Sequence, residues 1–278
     1  MKLTENNINI ILIMHSTIDP VDNNQKQLRS ISSVLKICTR ILVHSIEDLN
    51  RLKCLDLIDN VSLFPHGILD FDSQKRRKIK NIFGKAFLSL KNRVIASYGF
   101  CLPNKGYEEL IYAIHILKKK KFNIKLRLFC AIYDENNLDY FIKLKTLIEQ
   151  LNLANLVTLN GDYMTDEESL NLLVNNDLII FPYQKTSESS SASVRHGLAT
   201  GRPVLVTPNS IFNNISSFVE YLPGFDPENI ADGLIDWYTN RKYVMESDDS
   251  RNELINKQKF KNVSKLLINM IRSLEINS

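Results

Sequence analysis

From Ile8 to Thr207, short apolar runs of strand length alternate with segments of helical periodicity, and this alternation limits the fold more than any other feature. Continuous runs of Val, Ile, Leu and Phe suit strands buried on both faces, and strands separated by crossover helices pair in parallel. Two sets of runs are distinguishable. The first comprises Ile8–Met14, Arg40–Val43 and Val61–Phe64, with a helix near Gln25–Ile37 that places Leu28, Ile31, Val34 and Leu35 on one face. That is about half of a doubly wound domain. The second comprises Val94–Tyr98, Lys125–Cys130, Leu156–Leu159, Leu178–Phe181 and Val204–Thr207. Between its strands, Leu110, Ile114 and Leu117, then Phe141, Leu144, Ile148 and Leu151, recur at helical spacing. Five parallel strands with crossover helices make a complete doubly wound domain.

A polar, basic stretch, Asp70–Lys80 with Lys75, Arg76, Arg77, Lys78 and Lys80, separates the two sets. The sequence therefore predicts a partial N-terminal Rossmann-like domain over 1–70, a basic linker and connecting segment over 71–92 and a complete Rossmann-like domain over 93–240. A C-terminal amphipathic helix follows within 241–278, its stripe formed by Val263, Leu266, Leu267, Met270, Ile271 and Leu274. Its other face carries Lys257, Lys259, Lys261, Lys265 and Arg272. Such a helix docks its stripe on the protein itself or lies on an anionic membrane surface. The run Lys118–Lys121 closes a helix, where positive charge complements the dipole, and reads as a solvated helix end. Together with the basic C-terminal helix it permits peripheral membrane contact.

Composition removes several classes. Only 9 of 278 residues are glycine and no GxGxxG is present, which disfavours a dinucleotide-binding dehydrogenase. Cys38, Cys54, Cys101 and Cys130 contain no CxxC pair and read as reduced, small buried hydrophobes of a cytosolic protein. The formal charge of +4 is too small a surplus for a nucleic-acid partner without a concentrated patch. The apolar run Ile10–Met14 is too short for a signal-peptide core, and none approaches the roughly 20 residues of a membrane span. The expectation is a cytoplasmic protein, at most peripheral at the inner face of a membrane.

In open α/β sheets ligands bind beyond the carboxyl ends of the strands, so the turns there are the first places to look for chemistry. Gly99-Phe100-Cys101-Leu102-Pro103-Asn104-Lys105-Gly106 joins a strand to the helix bearing Leu110 and Ile114. Lys105 and the first amides of that helix would converge on an anion, or the segment is simply an exposed turn. A second turn, Pro182-Tyr183 through Glu188 and Ser189-Ser190-Ser191-Ala192-Ser193 to Arg195-His196, begins another helix. Its small residues let a ligand approach free backbone amides, or the serines serve only as an N-cap. Glu188 could accept hydrogen bonds from sugar hydroxyls. His15, after the first strand, reads on its own as a polar turn residue. His44 and His66 read as structural.

These residues resemble the retaining glycosyltransferases of family 4, also called the glycosyltransferase group 1 family, which have the GT-B fold. The similarity runs through Gly99-Phe100, the Lys105-Gly106 turn, Asn160-Gly161, Asp177-Leu178, Phe181-Pro182-Tyr183, Glu188 and Gly201-Arg202-Pro203-Val204. Upstream it includes His15, Val43-His44-Ser45 and Pro65-His66-Gly67-Ile68. The resemblance implies an α/β, GT-B-like fold of two Rossmann-like doubly wound parallel-sheet domains, the N-terminal one truncated and the C-terminal one complete. It implies that Lys105 holds the diphosphate of a nucleotide sugar, that Glu188 contacts the donor sugar, and that His15 positions the donor or stabilises charge near the anomeric centre. The donor-binding set is Gly99, Phe100, Lys105, Tyr183, Glu188, Ser189, Ser190, Ser191, Ala192, Ser193, Arg195 and His196.

The chain departs from the family pattern at three places. His196 stands where the family has a second glutamate that binds ribose. Phe100 stands where an arginine often shares the diphosphate, which leaves Lys105, helix amides and Arg195 for the negative charge. The first domain is shorter than the family's, and a half-sheet leaves a strand edge and an apolar face for another copy or a complementing chain.

The implied reaction moves a sugar from a nucleotide-diphosphate sugar to a hydroxyl of a glycan or lipid-linked acceptor, with retention and without a metal ion. Asp70-Phe71-Asp72 spells the Asp-x-Asp of metal-dependent GT-A enzymes but sits at the start of the basic linker. The alternatives are a non-catalytic or partner-dependent binding subunit and, third, a GT-B sugar-nucleotide epimerase, for which no acid/base pair can be placed.

Overall fold

A computed structural model describes residues 8–19, 27–71, 93–186, 188–240, 253 and 255–276. The first sheet contains β1 (Ile11–Met14), β2 (Arg40–Val43) and β3 (Val61–Leu63), parallel and in sequence order. Ile13 pairs with Leu42 and Leu42 with Ser62. The helix expected near Gln25–Ile37 is, within the described residues, a 3-10 turn over Leu28–Ile31 followed by one α turn, α1 (Ser32–Leu35). Leu28 and Leu35 face inward as expected, whereas Val34 is 61% exposed, because so short a helix cannot carry four residues on one buried face. Helix α2 (Ile46–Lys53) follows β2 and starts at Ser45, whose hydroxyl accepts from Asp48 N.

The second sheet contains β4 (Arg93–Phe100), β5 (Ile124–Ala131), β6 (Val157–Asn160), β7 (Leu178–Phe181), β8 (Val204–Val206) and β9 (Glu220–Tyr221). All its pairings are parallel, in the order β6-β5-β4-β7-β8-β9. The two-residue β9 is too short to leave an apolar run, so it is a strand that the pattern misses. The crossovers are α3 (Tyr107–Lys119), α4 (Asn136–Gln150), α5 (Asp166–Leu173) and α6 (Ala192–Ala199), with α7 (Pro227–Asn240) after β9. Side chains alternate across a strand, and the sheet is buried on both faces accordingly. Ile95, Leu178, Ile180 and Leu205 join the core with Leu110, Ile114 and Leu144, while Ala96, Ile179, Phe181, Val204 and Val206 join Val194, Leu198 and Phe212.

The C-terminal helix, α8 (Phe260–Ile276), returns to the first sheet. Val263, Leu267 and Met270 pack on Leu42, Phe64 and Ile11, while Leu12, Met14, Ile41, Val43 and Val61 face Leu28, Leu35, Leu52 and Leu57 on the opposite side. The expectation of an uncovered apolar face is therefore overturned: the chain supplies its own cover. Leu266 and Ile271, at the margins of the predicted stripe, are 50% and 38% exposed.

Ile68 N donates to Gln258 O at 2.7 Å and Phe260 N to Ile68 O at 3.1 Å, fixing where the last helix begins. Cys101 and Cys130 are buried as expected, but Cys38 is half-buried and Cys54 exposed at the end of α2. Of the basic run, Lys118 donates to Asn152 O and Lys120 pairs with Asp232, as at an ordinary solvated helix end. Asp70 pairs with Lys259; Asp72 and most of the predicted linker lie outside the described residues. Among those residues no helix is long and apolar enough to cross a membrane.

Candidate functional site

Strand order in the second sheet reverses between β4 and β7, and a crevice opens at the carboxyl ends of the strands at such a switch point. The two turns singled out by the sequence leave these two strands. After β4 the chain makes a 3-10 turn, Pro103–Lys105, and enters α3 through Gly106 at φ 73°. A Cβ at Gly106 would stand 1.8 Å from Pro182 O, so glycine is required both by conformation and by the approach of the second turn. At Gly99, φ 151°, a Cβ would lie 3.2 Å from both Ser193 Oγ and Tyr107 Oη. The end of β4 thus sits against the first turn of α6. The Tyr107 hydroxyl there is buried without a partner.

Lys105 is buried, and its ammonium lies 3.1 and 3.2 Å from the two oxygens of Glu188 and 4.2 Å from the centre of the Tyr183 ring. Burial alone would lower its pKa, but Tyr183 and the Glu188 carboxylate outweigh that and hold it above the ordinary lysine value. The two residues expected to hold different parts of one ligand therefore hold each other. Glu188 is more exposed than Lys105, so an incoming anion can take its place at the ammonium while the carboxylate turns to other donors.

The serine turn is used in several ways at once. Ser191 caps α6 by accepting from Val194 N and meets Tyr183 Oη at 3.1 Å. Ser189 reaches across to the first sheet, its N–H and Oγ donating to His15 O at 3.1 and 2.7 Å. Asn214 donates to His44 O and to Ser190 Oγ. Ala192 is exposed and Ser193 half-buried at the mouth of the helix. Of the alternatives posed by the sequence, the N-cap is present: Ser191 takes one end-of-helix amide of α6, that of Val194.

Arg195 and His196 both have partners within the protein. Arg195 is 2% exposed and donates to His66 O and Ser191 O, so it ties the two sheets together beneath the site. The His196 ring nitrogens lie 3.1 Å from Ala192 O and from Asp166, and the ring rests 5.1 Å from that of Tyr98.

The first sheet contributes more than His15. His15, His44 and His66 follow the carboxyl ends of β1, β2 and β3, and their rings cluster at centroid distances of 5.1, 5.0 and 6.2 Å. His44 and His66, read from the sequence as structural, stand beside His15 in this cluster. Parallel register was the signal that could have found them, because Met14, Val43 and Leu63 are in line. His44 Nδ1 donates to Phe64 O and His66 Nδ1 to Gly67 O, which leaves each Nε2 as an acceptor; that of His44 is buried without a partner. Burial and the nearby Arg195 charge lower the His66 pKa to about 4, and burial lowers that of His44. Asp48 accepts from Thr17, Ser45 and Arg51, ordering the loop just after His15. Among the described residues no group of three or more His, Cys, Asp or Glu is placed to hold a metal ion.

The Lys105–Glu188 pair, the first turn of α6 and the three imidazoles therefore lie along the contact between the two sheets, which Ser189 bridges to His15. The family described as glycosyl transferases group 1 matches residues 78–259. Solved structures share the fold at low identity. A glycosyltransferase from Rickettsia africae aligns over 100% of this chain and 79% of its own, at 14% identity and TM-score 0.74. HepE of Anabaena, in complex with UDP, aligns over 98% and 74%, at 13% identity and TM-score 0.77. A sucrose-phosphate synthase from Thermosynechococcus elongatus aligns over 100% and 71%, at 14% identity and TM-score 0.76. No curated protein sequence matches the chain.

Proposed function

Because the chain belongs to the glycosyl transferases group 1 family and has the GT-B arrangement of two Rossmann-like sheets, we propose that it transfers a sugar from a nucleotide-diphosphate sugar to an acceptor hydroxyl. The reading includes retention of anomeric configuration, as in family 4, and transfer without a metal ion. The observation that carries it is the buried Lys105, paired at the switch point with Glu188, whose neighbour Ser189 donates to His15 O. The UDP in the HepE neighbour supports a nucleoside diphosphate as the carrier.

In this mechanism the bond between the anomeric carbon and the diphosphate oxygen breaks, and negative charge grows on the leaving phosphate. Lys105 and the first amides of α6 are fixed where that charge develops, so they stabilise it without reorganising. Glu188, released from Lys105, accepts hydrogen bonds from the donor sugar, and His15 positions the sugar from the opposite wall. The acceptor oxygen bonds to the same face of the anomeric carbon, and its proton leaves with the diphosphate.

Thermal unfolding with UDP, GDP and ADP in EDTA, then with magnesium, tests this reading. Ligand at a hundred times its Kd adds about 2.7 kcal/mol, and the expected result is a higher midpoint with one nucleotide in EDTA, lost in Lys105→Ala. A rise only with magnesium would overturn the metal-free reading. No rise with any nucleotide would overturn the donor site. Binding without transfer would identify a binding subunit, and inverted product stereochemistry would remove retention.

A further inference from the structure

Phe100 ends β4 and Tyr133 follows β5, and both are exposed, at 43% and 55%. Their rings meet edge to face with centroids 5.0 Å apart, a favourable aromatic geometry that leaves faces open to a further ring. The pair is held firmly from below: Phe100 is in register with Ala131, Cys101 N donates to Ala131 O at 2.9 Å and Ile132 N to Gly161 O at 3.0 Å. It lies at the carboxyl edge of the sheet, on the strand that leads to Lys105 and its neighbour about 4.8 Å away.

Direction decides what the pair can receive. Every tie from the second sheet to the first described above, from Ser189, Arg195 and Asn214, comes from the β7 and β8 side of the switch point. β5 lies on the other side of β4. A ligand whose phosphates sit at Lys105 and whose sugar faces Glu188 and His15 must send its remaining portion toward β5.

We infer that Phe100 and Tyr133 form a stacking platform for the nucleobase of the donor, an inference that rests on the nucleotide-sugar reading. A flat, neutral base matches exposed aromatic faces, and stacking is tolerant of base identity. Phe100 then has a role suited to an uncharged side chain, and the base lies outside the sugar-bearing half of the cleft.

Titration calorimetry of the whole chain and its Tyr133→Ala, Phe100→Ala and Tyr133→Phe variants with UDP, GDP, ADP and inorganic pyrophosphate separates the two readings. The platform predicts that each alanine weakens the bound nucleotide about 5- to 100-fold, leaves pyrophosphate within twofold, and that Tyr133→Phe restores binding. An unchanged unfolding midpoint verifies the fold of each variant. Nucleotide Kd values equal to wild type in the alanine variants would overturn the platform, as would an equal loss for pyrophosphate. A raised KM for acceptor with unchanged nucleotide binding would assign the rings to the acceptor instead. If wild type binds pyrophosphate and no nucleotide more tightly, the platform falls while the phosphate site stands. If it binds neither, the donor reading itself fails.

Discussion

The two sheets solve the same problem with different resources. The second has six strands, the longest of eight residues, and covers both faces with helices that lie between its own strands or just after them. The first has, among the described residues, three strands of four, four and three residues, and the described cover of one of its faces is α8, more than 180 residues away in sequence. One wall of the site is therefore built into a self-sufficient core, while the other depends on a distant segment and on ties across the seam. Lys105 and Glu188 belong to the first kind and the histidines to the second. Substitutions on the two walls should fail in different ways.

The largest effect is expected on the second wall. Lys105→Ala should lower transfer about 1,000-fold, ~4 kcal/mol of charge stabilisation at the leaving phosphate, with the unfolding midpoint little changed because Glu188 is free to turn to water. A loss of activity that merely tracks lost stability would show that Lys105 holds the fold and not the ligand.

Next comes the contrast between the cores. Leu42→Ala removes a fully buried side chain between β2 and α8 and should cost about 3 kcal/mol. Hydrogen exchange should then rise through β1–β3 and α8 while β4–β8 stay protected. Ile180→Ala in the second core should instead expose both regions, since the first sheet is held against it. Uniform exposure in Leu42→Ala would remove the asymmetry.

A smaller effect should appear with pH. His66 titrates at about 4 in the fold, below its ordinary value near 6.5, first because of burial and then because of Arg195. The unfolded chain takes up the proton first, so this contribution is complete above pH 6.5 and disappears as pH falls toward 4. For a half-buried ring, discounted for solvent screening, the change is roughly 2 kcal/mol, with His44 adding in the same direction. His66→Gln should flatten the dependence of the unfolding free energy on pH in that window. An unaltered slope would place the titration elsewhere.

What could be read in the sequence follows the same division. Apolar runs such as Leu178–Phe181 and Arg40–Val43 fall on observed strands because a short run of continuous hydrophobicity suits a strand covered on both faces. The Lys105-Gly106 turn was legible because a left-handed glycine and a lysine at a strand's end have a local cause. The cover given to Leu42 by Val263 was not, since an amphipathic stripe specifies an apolar partner without saying which. Nor was the Arg195 tie to His66, which joins positions 129 apart. The histidine cluster lay between these cases: each ring follows its own strand, but only parallel register brings the three together.

The finest test of the two walls is Ser189→Ala. Ser189 sits on the turn that carries Glu188, yet its hydroxyl donates to the carbonyl of His15 in the other sheet, and its backbone N–H donates to the same oxygen. Alanine keeps the backbone bond and removes the hydroxyl, so the cost is that of one hydrogen bond, about 1 kcal/mol. If the hydroxyl serves to hold the imidazole seam over the donor, transfer should fall about fivefold while nucleotide Kd stays within twofold, because the proposed phosphate and base contacts are all on the second sheet. A tenfold rise in nucleotide Kd with no further loss in the transfer step would reverse the assignment and make Ser189 part of the phosphate cradle. The walls would then meet through the ligand, and their contact in the empty protein would be incidental to catalysis.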